Sequence, residues 1–205
     1  MKLKMLTVGE LGTNCYVITD SKGNTVVIDP ADEFDRIVSA LDSEKLDAIL
    51  LTHGHFDHTG AVNSLKRAYN CKVIISAEDE EMLSDNRKNA AILIGAYPEP
   101  IIADRLVKDG DIIEVGELKF EVIATPGHTK GSVTYKIEDT LFTGDTLFRG
   151  TVGRCDLYGG NSSTLMASLK KLSEFDDSFK VLSGHDQKTT IGYEKQTNYY
   201  MRKMK

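Results

Sequence analysis

Residues 50–60 read Leu-Leu-Thr-His-Gly-His-Phe-Asp-His-Thr-Gly, and three of the five histidines in this 205-residue chain fall inside that stretch. The apolar residues that lead into it predict a buried strand over 47–52. Val62, Leu65, Ala68 and Tyr69 then keep the spacing of one helix face. His53, His55, Asp57 and His58 therefore share a single strand-to-helix turn. Imidazole and carboxylate side chains suit zinc, and also iron or manganese. Alternating positions can converge on one ion while the adjacent Asp57 and His58 are aimed at a second. Asp57 has a competing reading as a cap on the following helix.

The remaining histidines repeat the arrangement at a distance. Val-Ile-Ala-Thr-Pro-Gly-His ends at His128 and Val-Leu-Ser-Gly-His ends at His185, while Leu-Phe-Thr-Gly-Asp brings Asp145 to the same place relative to its own strand. All seven candidates lie just past the carboxyl end of a strand, the edge at which α/β sheets bind ligands. Convergence on one cleft is the economical reading. Asp29, closing Thr-Val-Val-Ile-Asp, reads either as a carboxylate holding a ligating imidazole from behind or as a turn residue.

Working outward, short β-branched runs predict strands over 14–19, 25–29, 47–52, 72–76, 111–115, 119–125, 132–137, 140–143 and 180–183. Helical periods run through Phe34, Ile37, Val38 and Leu41, through the stripe after the histidine turn, through Leu165, Met166, Leu169, Leu172 and Phe175, and over 191–201. Strands and helices alternate in the first half, and strands follow one another over 111–143. This predicts one α/β domain over 1–205, with two mixed sheets packed together and helices outside, a four-layer sandwich. The stretch 77–108 lacks strand alternation and predicts one or two helices plus a proline-marked loop able to wall a pocket.

Composition narrows the function classes. Thirty-one acidic against 25 basic residues give a net charge of −6, which argues against nucleic acid as a partner; a small-molecule substrate is expected instead. No apolar run is long enough for a membrane span, and residues 1–11 lack a signal-peptide core, so a soluble, cytoplasmic protein is expected. Cys15, Cys71 and Cys155 are far apart and form no C-x-x-C pair, so free thiols are expected.

The segments G-T-N-C-Y-V-I (12–18), V-V-I-D-P, T-H-G-H-F-D-H-T-G, T-P-G-H-T-K-G-S (125–132), G-D-T-L-F-R-G-T-V-G-R-C-D-L (144–157) and S-G-H-D-Q-K-T-T-I-G-Y-E-K-Q-T-N (183–198) cover most of the chain. In them it resembles the metallo-β-lactamase fold superfamily, and within it the short glyoxalase II-like hydrolases similar to hydroxyacylglutathione hydrolase. The resemblance implies an αβ/βα sandwich and two divalent ions, zinc first, with iron or manganese as alternatives. It places one ion on His53, His55 and His128 and the other on Asp57, His58 and His185, with Asp145 bridging. It implies hydrolysis of a thioester, such as S-lactoylglutathione or a similar hydroxyacyl-thiol, by a metal-bridging hydroxide that Asp57 orients. A thiolate suits such a site because a leaving group with a pKa of about 8.5 needs little help from an acid. The loop after Asp145 would offer Arg154 and Tyr158 to the substrate, and Arg154 reads equally well as part of a structural ion pair. Full-length glyoxalase II enzymes add a helical C-terminal domain that grips glutathione, whereas 20 residues follow His185 here. Two other activities fit the same motifs: a persulfide dioxygenase with one iron on His53, His128 and Asp145, and a lactonase.

Overall fold

The computed structural model describes residues 1–42 and 45–204. The chain opens with an antiparallel hairpin of β1 (Lys2–Val8) and β2 (Thr13–Thr19), to which β3 (Thr25–Ile28) adds antiparallel. Helix α1 (Phe34–Ala40) crosses to β4 (Ala48–Leu50), and α2 (Val62–Tyr69) crosses to β5 (Lys72–Ser76). A short β6 (Arg105–Val107) completes a sheet of order β1-β2-β3-β4-β5-β6, parallel from β3 onward. Thr-Val-Val-Ile in β3 and Ala-Ile-Leu in β4 are buried at every position, as apolar runs covered on both faces must be.

The second sheet begins with β7 (Ile112–Val115), β8 (Leu118–Ala124), β9 (Val133–Ile137) and β10 (Thr140–Gly144), all antiparallel neighbours. A small ribbon of β11 (Leu147–Phe148) and β12 (Thr151–Val152) follows, then α3 (Ser162–Ser173). The Asn161 side chain caps α3 by accepting from the Thr164 amide at 3.0 Å. Strand β13 (Lys180–Ser183) pairs parallel with β10, and β14 (Thr189–Thr190) precedes α4 (Ile191–Thr197), giving the order β14-β13-β10-β9-β8-β7.

Three apolar layers hold the four structural layers together. Ile37, Val62 and Leu65 of α1 and α2 pack with Val27, Ile49 and Val73 on the outer face of the first sheet. Tyr16, Ile18, Ile28 and Leu50 meet Phe120, Tyr135 and Phe142 between the sheets. Leu169 and Leu172 of α3 cover Leu141 and Val181 on the far face of the second sheet. This is the αβ/βα sandwich expected from the sequence. Tyr135 also donates its hydroxyl to the Leu51 carbonyl at 2.8 Å, so a polar contact pins the two sheets close to the histidine turn.

The segment 77–108 departs from its reading. It forms two single 3-10 turns, Glu80–Leu83 and Ala91–Ile94, and then β6, with no α-helix. Ala90 and Gly95 take left-handed backbone conformations on either side of the second turn, which stops propagation in both directions. The helix read over 191–201 ends at Thr197. There Asn198 turns extended, its amide donating to the Thr151 carbonyl and to Glu194, and a 3-10 turn over Met201–Met204 follows.

Candidate metal centre

His53 and His55 follow β4, and Asp57 and His58 lie on a 3-10 turn over Phe56–His58. His128 comes from the β8–β9 connection, Asp145 follows β10 and His185 follows β13. These seven side chains meet at one edge of the sandwich, the first four from one sheet and the last three from the other. His55 and His128 approach to 2.9 Å between ring nitrogens. Asp145 places one oxygen 3.3 Å from His58 Nε2 and the other 3.5 Å from His128 Nε2 and 3.6 Å from His185 Nε2. Asp57 stands 3.3 Å from His185 Nε2. Three triads have ligand atoms within 4.8 Å of one another: His53, His55 and His128; His53, His58 and Asp145; Asp57, His58 and His185.

Several polar atoms of the cluster are short of partners. Nε2 of His53, His55 and His58 and Oδ1 of Asp145 are buried without a hydrogen bond among the described residues. Burying such atoms unsatisfied is costly, and a cation among them removes the deficit. The outward-facing atoms, by contrast, are held. Asp29 accepts from Thr52 Oγ1 at 2.6 Å and lies 3.0 Å from His58 Nδ1. Thr52 Oγ1 is 3.1 Å from His53 Nδ1, and His128 Nδ1 donates to the Arg154 carbonyl at 2.7 Å. Fixing Nδ1 turns each Nε2 inward, the usual support for metal-binding imidazoles. Asp29 thus takes the supporting role, and Asp57 caps no helix, since α2 has Ala61 at its N-cap and no side-chain cap.

Electrostatics agree. Burial, reinforced by neighbouring imidazoles, holds His53 well below the usual imidazole range, and burial followed by His128 brings His55 down to about 3. Both are therefore neutral and able to ligate. At His58 burial opposes protonation, but the carboxylates of Asp145, Asp57 and Asp29 outweigh it and raise its pKa. Burial also works against a charge on Asp145, yet the His58 and His128 imidazoles keep it below the carboxylate range. The centre thus demands positive charge, which a divalent ion supplies.

Two carriers of the site were not singled out from the sequence. Asp79 is fully buried and accepts from the Gly54 amide at 3.1 Å, from Thr129 Oγ1 at 2.7 Å and from the Gly131 amide at 2.7 Å. It ties the loop of His53 and His55 to the loop of His128. Asn14 donates its side-chain amide to the carbonyls of Ser183 and Asp186, fastening the His185 loop to β2. The side chains of Arg154 and Tyr158 are engaged with carboxylates of the surrounding loops. The Arg154 guanidinium forms a two-pronged ion pair with Asp156 at 2.7 and 2.8 Å, and the Tyr158 hydroxyl donates to Glu81 at 2.6 Å.

The family model described as the Metallo-beta-lactamase superfamily matches residues 8–185. The chain belongs to this superfamily. Its relatives include the hydroxyacylglutathione hydrolase GloC of Haemophilus influenzae, 32% identical over 98% of both chains. Among solved structures, the B3 metallo-beta-lactamase BLEG-1 superposes with a TM-score of 0.92 at 34% identity, covering 98% of this chain and 99% of its own. TTHA1623, solved in a di-iron-bound form, superposes at 0.87 with 35% identity, covering 96% and 99%. The protein is a metallo-hydrolase of the superfamily with a His/Asp cluster able to bind metal ions.

A glycine is required within this centre. A Cβ on Gly184 would lie 2.2 Å from Asp145 Oδ1 and 2.7 Å from His58 Cε1. Gly184→Ala is expected to displace that carboxylate and weaken metal binding by about 10- to 100-fold, as loss of supporting contacts does. Titration with a divalent ion checks this, and wild-type affinity in the variant would refute it. No helix among the described residues is long and apolar enough to cross a membrane.

Proposed function

We propose that the chain hydrolyses thioesters with two divalent cations, zinc first. His53, His55 and His128 would hold one, and Asp57, His58 and His185 the other, with Asp145 between them. The observation that carries this reading is the convergence from two sheets of three triads whose ligand atoms lie within 4.8 Å of one another, in a cluster where four polar atoms are buried without a hydrogen bond. When bound, such ions bring the pKa of a water from 15.7 to about 7 and polarise a carbonyl, so no serine or cysteine nucleophile is needed. Asp57 keeps an oxygen at the solvent-facing side of the cluster and can accept a hydrogen bond from the attacking water, orienting it towards the carbonyl carbon. Asp29, Thr52 and the Arg154 carbonyl hold His53, His58 and His128 through Nδ1 and so direct their Nε2 atoms into the cluster. A departing thiolate needs no general acid, which favours thioesters over amides. The hydroxyacylglutathione hydrolase named among the relatives supports the same class.

Metal analysis of purified protein, coupled to a panel of S-lactoylglutathione, other thioesters, a lactone, a β-lactam and a persulfide, tests the reading. Two zinc ions per chain and thioester turnover are expected. Chelation should remove the activity and readdition of zinc should restore it. One iron per chain with oxygen uptake on the persulfide would overturn the proposal.

A further inference from the structure

A cleft of about 610 Å³ opens beside the cluster, and Asp57 forms part of its wall. Other walls come from three separate segments: Glu10 and Leu11 between β1 and β2, Asp32 ahead of α1, and Ile94 and Tyr97 between β5 and β6. Leu11, Ile94 and Tyr97 are 55%, 61% and 72% exposed, so a substantial apolar surface lies open next to the reacting centre. Such surface beside a catalytic group is where an apolar part of a ligand binds. Thr13 also lines the cleft; its buried hydroxyl has no hydrogen-bond partner and is suited to a neutral polar group.

The charges on the wall have one sign. Glu10 and Asp32 contribute carboxylates besides the metal-assigned Asp57, and no Lys, Arg or His is among the described residues that line the cleft. Three cations near the cluster loops are engaged in ion pairs, Lys130 with Glu78, Lys88 with Glu81, and Arg154 with Asp156.

On the reading that the chain is a thioesterase, we infer that this cleft takes an apolar arm of the substrate that carries no negative charge. Glu10 and Asp32 determine that specificity by repelling anionic arms. Glutathione, whose two carboxylates need cationic partners, is then a poor carrier, and thioesters of an uncharged thiol with an apolar acyl group are the preferred class.

The test measures kcat/KM for four thioesters that combine phenylacetyl or succinyl acyl groups with N-acetylcysteamine or glutathione. Wild-type enzyme should favour the phenylacetyl ester of N-acetylcysteamine over its fully anionic counterpart, succinylglutathione, by at least about tenfold, or 1.4 kcal/mol. The double variant Glu10→Lys/Asp32→Lys should shrink or invert that ratio, and Tyr97→Ser should raise KM for the phenylacetyl esters more than for the succinyl ones. Turnover with a preference for the anionic esters, or a ratio unmoved by the double variant, overturns the inference and leaves the thioesterase reading intact. If metal-loaded wild-type protein hydrolyses none of the four, the thioesterase reading fails and the inference falls with it.

Discussion

Replacing Asp145 with alanine is expected to abolish metal loading and hydrolysis together, with activity falling by at least about a thousandfold, as when one member of a cooperating catalytic set is removed. The geometry sets this expectation. Asp145 faces His58 with one oxygen at 3.3 Å and His128 and His185 with the other at 3.5 and 3.6 Å. It is the carboxylate common to histidines assigned to both ions. Asp145→Asn, which keeps the shape and removes the charge, should be similarly deficient, separating charge from packing. Atomic absorption and kcat/KM on the same preparations provide the check, and full activity in the alanine variant would sink the assignment.

Asp79→Ala is expected to carry a large stability cost although it lies outside the cluster. It strips the acceptor from the Gly54 and Gly131 amides and from Thr129 Oγ1, all in buried surroundings. Thr129 Oγ1 keeps Ser132 Oγ at 2.7 Å, but the two amides are stranded; at about 1–3 kcal/mol each they cost about 2–6 kcal/mol, a large part of an ordinary domain's stability. Because these donors lie in the loops of His53, His55 and His128, metal affinity should fall as well. Denaturant unfolding of the zinc-loaded and zinc-free forms measures both effects. A midpoint unchanged from wild type would show that the carboxylate bears no structural load.

The histidine turn was legible because its meaning is local: four ligand-type side chains in six residues, after a strand and before a helix. His128, Asp145 and His185 were legible because each follows an apolar run that ends a strand, so placing the strands placed the ligands. Asp79 was hidden for the opposite reason. It is one of four acids in Glu78-Asp79-Glu80-Glu81, and nothing local says which one turns inward; only the approach of Gly54 and Gly131 decides it. Strand β1 escaped because it lies at the edge of its sheet, with lysines alternating among half-exposed apolar residues. The Ala-Ala-Ile-Leu-Ile run over 90–94 suggested a helix from composition, yet Leu93 and Ile94 face outward, and left-handed residues bracket it.

Each of the three triads draws members from both sheets, and this makes the centre a fastener as well as a reaction site. Ions held there would oppose separation of the sheets, so the sandwich would resist unfolding more as the free ion concentration rises, with the logarithm of that concentration. At one hundred times the dissociation constant the gain is about 2.7 kcal/mol for a single ion. Zinc supply would then govern how long the chain survives proteolysis as directly as it governs turnover.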